Sequence, residues 1–173
     1  RMHLYYFPRR WEDLESRGNG SFRTHDRVYW ELAYGTDTSQ TFSWSVQAGE
    51  MQEHLSGRTQ FAGVGITFKP VDRFSLDIDA NYRHHQGWLL HQGGRRMTTF
   101  DAGNWQPRLA MDIFITARQQ LRLTMQWAGI VADEQAFYQI PIEPGALIEV
   151  DKDADAAIGD FTMSRLTAQL RYR

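Results

Sequence analysis

Apolar and polar residues alternate along most of this chain with a period of two, the pattern of a β-strand whose faces meet different surroundings. From Phe74 one face carries Phe74, Leu76, Ile78, Ala80 and Tyr82, and the other carries Ser75, Asp77, Asp79, Asn81 and Arg83. Upstream, Ala62, Val64, Ile66 and Phe68 alternate with Gly63, Gly65, Thr67 and Lys69. Pro70-Val71-Asp72 between these runs makes them a hairpin. The unit recurs. Val28, Trp30, Leu32 and Tyr34 alternate with Tyr29, Glu31, Ala33 and Gly35. After a Thr36-Asp37-Thr38 turn, Phe42, Trp44, Val46 and Ala48 alternate with Ser43, Ser45, Gln47 and Gly49. Leu109, Met111, Ile113 and Ile115 then oppose Arg108, Ala110, Asp112 and Phe114. Across an Ala117-Arg118-Gln119 link, Leu121, Leu123, Met125 and Trp127 oppose Arg122, Thr124, Gln126 and Ala128. A last run sets Leu166, Ala168, Leu170 and Tyr172 against Arg165, Thr167, Gln169 and Arg171. No segment sustains a 3.6-residue period. The chain reads as all-β, an antiparallel meander of about eight or nine strands, with a strand number near the minimum of known membrane barrels.

The connections alternate in length. Short turns are expected near 36–39, 70–72 and 117–120, and long polar loops near 50–58, 84–105 and 131–160. Short turns at one rim and long loops at the other are how an outer-membrane barrel is built. Two architectures accommodate the alternation. In a soluble sandwich or lipocalin-like barrel the apolar face points into a core. In a transmembrane barrel it meets lipid and the polar face lines the lumen. The polar face mixes Gly, Ser, Thr and Gln with Asp and Arg, and the chain is poor in Lys, as suits a crowded interior rather than a solvent face. Aromatics close the apolar stripes at Tyr34, Tyr82, Trp127 and Tyr172, matching interfacial girdles. The fold expected is part of a transmembrane, outer-membrane β-barrel.

That reading assigns the faces. Trp30, Trp44, Ile66, Leu76, Ile78, Ile113, Leu123 and Leu170 are expected to face lipid. Glu31, Asp77, Asp79, Arg83, Arg108, Asp112, Arg122, Arg165 and Arg171 are expected to line the lumen.

Composition removes several alternatives. In 173 residues, 42% are apolar and 13% aromatic, which excludes a disordered chain. A mean hydropathy of −0.55 and the lack of any long apolar run exclude a helical membrane protein, but not a barrel, whose lumen residues lower the average. Nineteen basic against 21 acidic residues leave a net charge of −2, with no footprint for nucleic acid. The absence of cysteine excludes disulfide scaffolds, thiolate metal sites and a cysteine nucleophile. The chain begins at Arg1 and stops at Arg173 inside an alternating run, and is expected to be a single barrel segment of a longer protein.

Candidate chemistry is sparse. The inward Asp and Arg residues suit either selection of an anionic or sugar ligand or internal pairing of a barrel wall. Asp77 and Asp79 share a strand face, as a glycosidase carboxylate pair would, yet no cleft is marked there. His84 and His85 point to opposite faces, poor geometry for joint metal ligation, His54 and His91 are placed in separate loops, and all four are read as surface histidines. Asp151, Asp153 and Asp155 have the first three spacings of a calcium loop, but Ala156 replaces its glycine and Thr162 its bidentate glutamate. Trp88-Leu89-Leu90 and Phe137-Tyr138 are placed in or near long loops, where aromatics stack on sugars or fold over the barrel mouth. No catalytic residue, metal ligand set or cofactor site is assigned.

Asn104-Trp105-Gln106-Pro107-Arg108-Leu109, the run from Gln119 to Trp127 and the run from Asp160 to Arg171 resemble the C-terminal region of an uncharacterised bacterial family. In that family a carbohydrate-binding family 9-like module precedes an outer-membrane β-barrel of unknown function. The likeness is best from about Phe61 to Arg173 and implies an outer-membrane location, lipid as partner and an association with glycans. It supplies no catalytic residues. The function expected is a membrane-embedded segment of a glycan-associated surface or transport protein. The other classes are an accessory region of a carbohydrate-active hydrolase and a soluble β-sandwich or barrel binding module.

Overall fold

The computed structural model describes residues 1–116, 118–152 and 159–173. It is an all-β antiparallel meander. The strands are β1 (Met2–Phe7), β2 (Trp11–Glu12), β3 (Phe22–Arg23), β4 (Arg27–Gly35), β5 (Phe42–Gln52), β6 (Arg58–Val71), β7 (Phe74–Gly93), β8 (Arg96–Thr116), β9 (Gln119–Gln139), β10 (Ile148–Val150) and β11 (Phe161–Tyr172). Nine of them form one sheet, in the order β1-β4-β5-β6-β7-β8-β9-β10, with β11 also paired to β9. β10 takes the upper end of β9 and β11 its lower length, so both lie on the side away from β8. The sheet is open among the described residues, with β1 at one side and β10 and β11 at the other each paired on one side only.

Connections alternate between two ends. At the lower end lie the 36–41 turn, the two-residue turn Asp72-Arg73 and the paired ends of β8 and β9 at Thr116 and Gln119. Asp37 Oδ1 shapes the first by accepting the Ser39 amide at 2.9 Å. The upper end differs from the sequence expectation. Residues 84–105 are not a loop: β7 and β8 continue through them as one long hairpin closed by Gly94-Arg95. Gly93 and Gly94 adopt φ of 124° and 55°, backbone a tight hairpin needs and other residues resist. Of 50–58 only residues 53–57 turn, and of 131–160 the first part is strand β9. Trp88, Leu89, Leu90, His91, Phe137 and Tyr138 are therefore strand residues. Among the acidic run, Asp153–Asp155 lie outside the described residues, as does Ala117 of the lower link.

The buried core sits at the upper end and is built by a segment the periodicity does not reveal. Residues 8–26 form a strap: Thr24 donates its amide to Arg10 (2.9 Å), and Arg23 donates to the Gly145 carbonyl (2.9 Å). This delivers Phe22, 0% exposed, onto Leu89, Met97 and Ile140, with Leu55, Tyr138 and Leu147 packed around them. On the opposite face Phe100, Ala102 and Ala132 pack with Trp88, Leu90, Ile130 and Phe161. The rings of Phe100 and Phe161 meet edge-on at 5.3 Å.

Candidate functional site

Register turns the period-two pattern into two continuous surfaces. On one, successive rows cross the sheet. The lowest is Val71–Phe74–Ile113–Leu121–Tyr172, followed by Phe42–Phe68–Leu76–Met111–Leu123–Leu170. Above these come Trp44–Ile66–Ile78–Leu109–Met125–Ala168, then a row through Val46, Val64 and Ala80, then Leu32–Ala48–Ala62–Tyr82–Trp105. No element of the described chain covers these rows, and Val64, Ile66, Ile78, Trp127 and Leu170 are 54, 41, 42, 41 and 66% exposed. The band stops sharply. The next row on the same face is Trp30–Glu50–Gln60–His84, and the one beyond holds Gln52, Arg58 and Gln86. Trp30 thus stands at the upper boundary rather than inside the band. Aromatic pairs lie towards both limits: Tyr82 against Trp105 (4.5 Å) above, Phe68 against Phe74 (6.5 Å) below.

Above that polar belt the same face turns apolar again, at Leu89 and Met97. There the chain covers it with Phe22 and Ile140. One face is therefore sealed by protein at its top and left bare below.

The other face is polar and holds the described hollows. One of them, of about 600 Å³, lies over Ser45, Gln47, Gly63, Gly65, Asp79 and Asn81. A Cβ on Gly63 or Gly65 would meet the side chains of Asn81 and Ser45, so glycine here makes room for polar groups from adjacent strands. The expected charges are mostly partnered. Asp79 accepts from Arg108 at 3.2 Å, and Asp112 accepts from Arg122 at 2.7 Å and Gln120 at 3.0 Å. Asp77 takes hydrogen bonds from Thr67 (2.6 Å) and Ser75 (3.3 Å), and Glu31 takes one from the Tyr29 hydroxyl with Arg1 3.7 Å away. Arg83 lies 5.9 Å over the Phe61 ring. With Asp77 and Asp79 tied to different partners, the acid-base pairing considered for them has no support in the geometry. Arg165 and Arg171 depart from the pattern: no carboxylate among the described residues pairs with either.

At the upper end of the polar face is a cluster the sequence reading missed. Glu53, 5% exposed, accepts from the Thr59 hydroxyl and stands 3.7 Å from His85 Nδ1, itself 2.7 Å from Thr59 Oγ1. His85 stacks on Trp88 at 5.3 Å. It is not a surface histidine, and its parity with Arg83 and Asn81 was the available signal. His84, as expected, lies on the opposite face, 3.5 Å from Asp101. His54 Nε2 meets Arg27 at 3.2 Å in the 53–57 turn, whereas His91, in β7, contacts the Gly94 carbonyl at 2.8 Å. Both carboxylate and hydroxyl meet the same imidazole nitrogen, so the cluster is not a nucleophile–base–orienter relay. It ties the turn to β7.

Burial opposes ionisation of Glu53, but hydrogen bonds from His85 and Thr59 outweigh it and hold its carboxyl below the ordinary 4.5. Burial, then the Arg27 guanidinium, push His54 below its ordinary 6.5. Both folded values are depressed, so both contributions are in place above the ordinary values and are lost as pH falls. Amide protection in the 53–57 turn, exchange taken relative to the intrinsic rate at each pH, should therefore fall as pH drops below 6.5 and again below 4.5. Glu53→Gln should remove the lower phase alone; an unchanged profile in that variant would refute the assignment.

No protein-family model matches the chain, and no curated protein or solved structure matches it either. Among the described residues no group of three or more His, Asp or Glu is placed to hold a metal ion.

Proposed function

We propose that the chain is a wall segment of an outer-membrane β-barrel, with its apolar face in lipid and its polar face lining the lumen. The observation that carries this reading is the bare band. Uncovered apolar surface across six strands is a liability in water, and this chain seals comparable surface on the same face wherever it lies above the polar belt. Dimensions agree with lipid. From Phe74 to Tyr82 the strand climbs roughly 27 Å at ~3.4 Å per residue. At a tilt of about 40° this gives ~20 Å of height, near the ~25 Å band of known barrels. A soluble sandwich would need a second layer over these rows.

In this reading the lower-end turns face the periplasm and the β7–β8 hairpin with its strap stands outside the cell, where long extensions are tolerated. The parent role is that of a glycan-associated surface or transport protein, as the family resemblance implies, with ligands met at the outer end. Cysteine labelling of intact cells tests address and orientation together. Ser56→Cys, in the upper 53–57 turn, should react with an impermeant biotin-maleimide, and Asp72→Cys, in the lower turn, should react only after the outer membrane is opened. The reverse pattern would invert the topology. Equal labelling of both in a soluble fraction would remove the membrane reading.

A further inference from the structure

A run of aromatic rings lies on the polar face, level with Trp30 on the other. Tyr5, Tyr29 and Phe61 step across β1, β4 and β6 with ring centroids 5.7 and 5.8 Å apart, the second pair within 16° of parallel. Gly49 makes the second step possible. It sits in register between Glu31 and Phe61, and a Cβ there would stand 2.4 Å from the Phe61 ring. Bare backbone lets that ring lie over β5 and reach Tyr29. Phe7 extends the run beyond Tyr5 at 6.4 Å, and Tyr5 and Phe7 are 50 and 40% exposed. Apolar ring faces on a wetted wall cost free energy unless something is laid against them. Hydrogen-bonding groups border the rings. Glu31 accepts from the Tyr29 hydroxyl, and Gln47 donates to Asn81 at 3.2 Å. These residues share a hollow of about 180 Å³ with Phe61 and Arg83. A second hollow, of about 550 Å³, opens over Tyr5, Phe7 and Glu31 on β1 and β4. The two meet at Tyr29.

The geometry points to a saccharide site, in which a short uncharged oligosaccharide lays its C–H faces on Tyr5, Tyr29 and Phe61. Its hydroxyls meet Glu31, Gln47 and Asn81. The C–H bonds of a pyranose carry slight positive charge and suit the negative face of an aromatic ring, while its hydroxyls need a polar border. The ring spacing is close to the length of one sugar unit. A wholly apolar ligand would strip water from Glu31, Gln47 and Asn81 and give nothing back. An anion would meet the Glu31 carboxylate where the two hollows join, and the nearby cations are turned to the rings: Arg27 lies 5.7 Å over Phe7 and Arg83 5.9 Å over Phe61. The inference deepens the proposed function and rests on it at one point, that this face is the water-filled lumen.

The test uses the whole chain in detergent micelles, with binding read by saturation-transfer NMR. Maltotriose and cellotriose are the probes, and trigalacturonate and adenosine monophosphate are the charged rivals. A neutral trisaccharide should bind, with its ring C–H protons most strongly saturated and an affinity that does not change with salt. Phe61→Leu keeps apolar bulk but removes the ring face, and should weaken binding roughly tenfold. Phe61→Trp should bind as the parent does. Tyr5→Leu, at a half-exposed position, should weaken binding too without disturbing packed side chains, so a Phe61 variant that misfolds does not end the test. Binding of neither trisaccharide, tighter binding of trigalacturonate or adenosine monophosphate, or binding that survives both leucine variants overturns the proposal. Cysteine labelling of intact cells reports on the membrane reading separately, because binding in micelles needs no bilayer.

Discussion

Ile78→Arg should destabilise the protein by about 2–4 kcal/mol in a bilayer, the cost of a guanidinium near the midplane of a barrel's lipid face. Ile78 lies in the middle row of the bare band, between Ile66 and Leu109, with Leu76 below it and Ala80 above. A long cationic side chain there has no polar neighbour on its own face. Ile113→Arg, in the lowest row, should cost less, because its guanidinium can reach the interface. Gln126→Arg supplies the control. It shares a row with Arg108 and Thr167 on the polar face, where Asp79 already engages an arginine, and should change stability by under ~1 kcal/mol. Reversible urea unfolding in lipid vesicles measures all three. Equal costs at Ile78 and Gln126 would mean that the two faces meet the same medium, which contradicts the assignment. A soluble protein in detergent-free buffer would show no such difference, since an arginine on an already exposed position costs little in water.

The features legible in the sequence are those that local alternation encodes. Each strand of the band announces its own two faces, so Ile66, Ile78, Leu109 and Met125 could be assigned to one surface before any register was known, and register then made them a row. Where alternation fails, so does the reading. Met2–Phe7 is apolar or aromatic on both faces, which hides β1. Above residue 84 the β7–β8 hairpin is covered on one side by Phe22 and on the other by Phe161, so both parities carry apolar residues and the period disappears. The bulge at Gly87 and the Gly93-Gly94 turn then imitate loop composition. On the polar face, sequence identified the charges but not their partners: Asp79 with Arg108 and Glu53 with Thr59 are set by register and by a turn, neither of which is local. That no carboxylate among the described residues pairs with Arg171 is equally a matter of which residue lies across the ladder.

Phe22→Ala should release the strap. The side chain is fully buried against Leu89, Met97 and Ile140, and truncating a buried phenylalanine costs about 3–5 kcal/mol. The strap's other buried side chains, Glu12, Ser16 and Thr24, bond within the strap itself. Its two strands are two residues each, and its links to the rest of the upper end are single hydrogen bonds such as Arg23 to Gly145 (2.9 Å) and Asn19 to His91 (3.4 Å). A loss of that size therefore exceeds what local contacts can offset, and residues 8–26 should detach while the sheet below stays paired. Trypsin reads the event directly, because Arg9, Arg10, Arg17 and Arg23 lie within the strap and become cleavable when it opens. Cleavage should rise at these four sites with no change at Arg108 or Arg122, and amide exchange should quicken from Leu89 to Met97 but not from Leu76 to Asn81. Global unfolding in the variant would show that the upper core supports the whole sheet. Unchanged proteolysis would show that the strap is held by something other than its one buried ring.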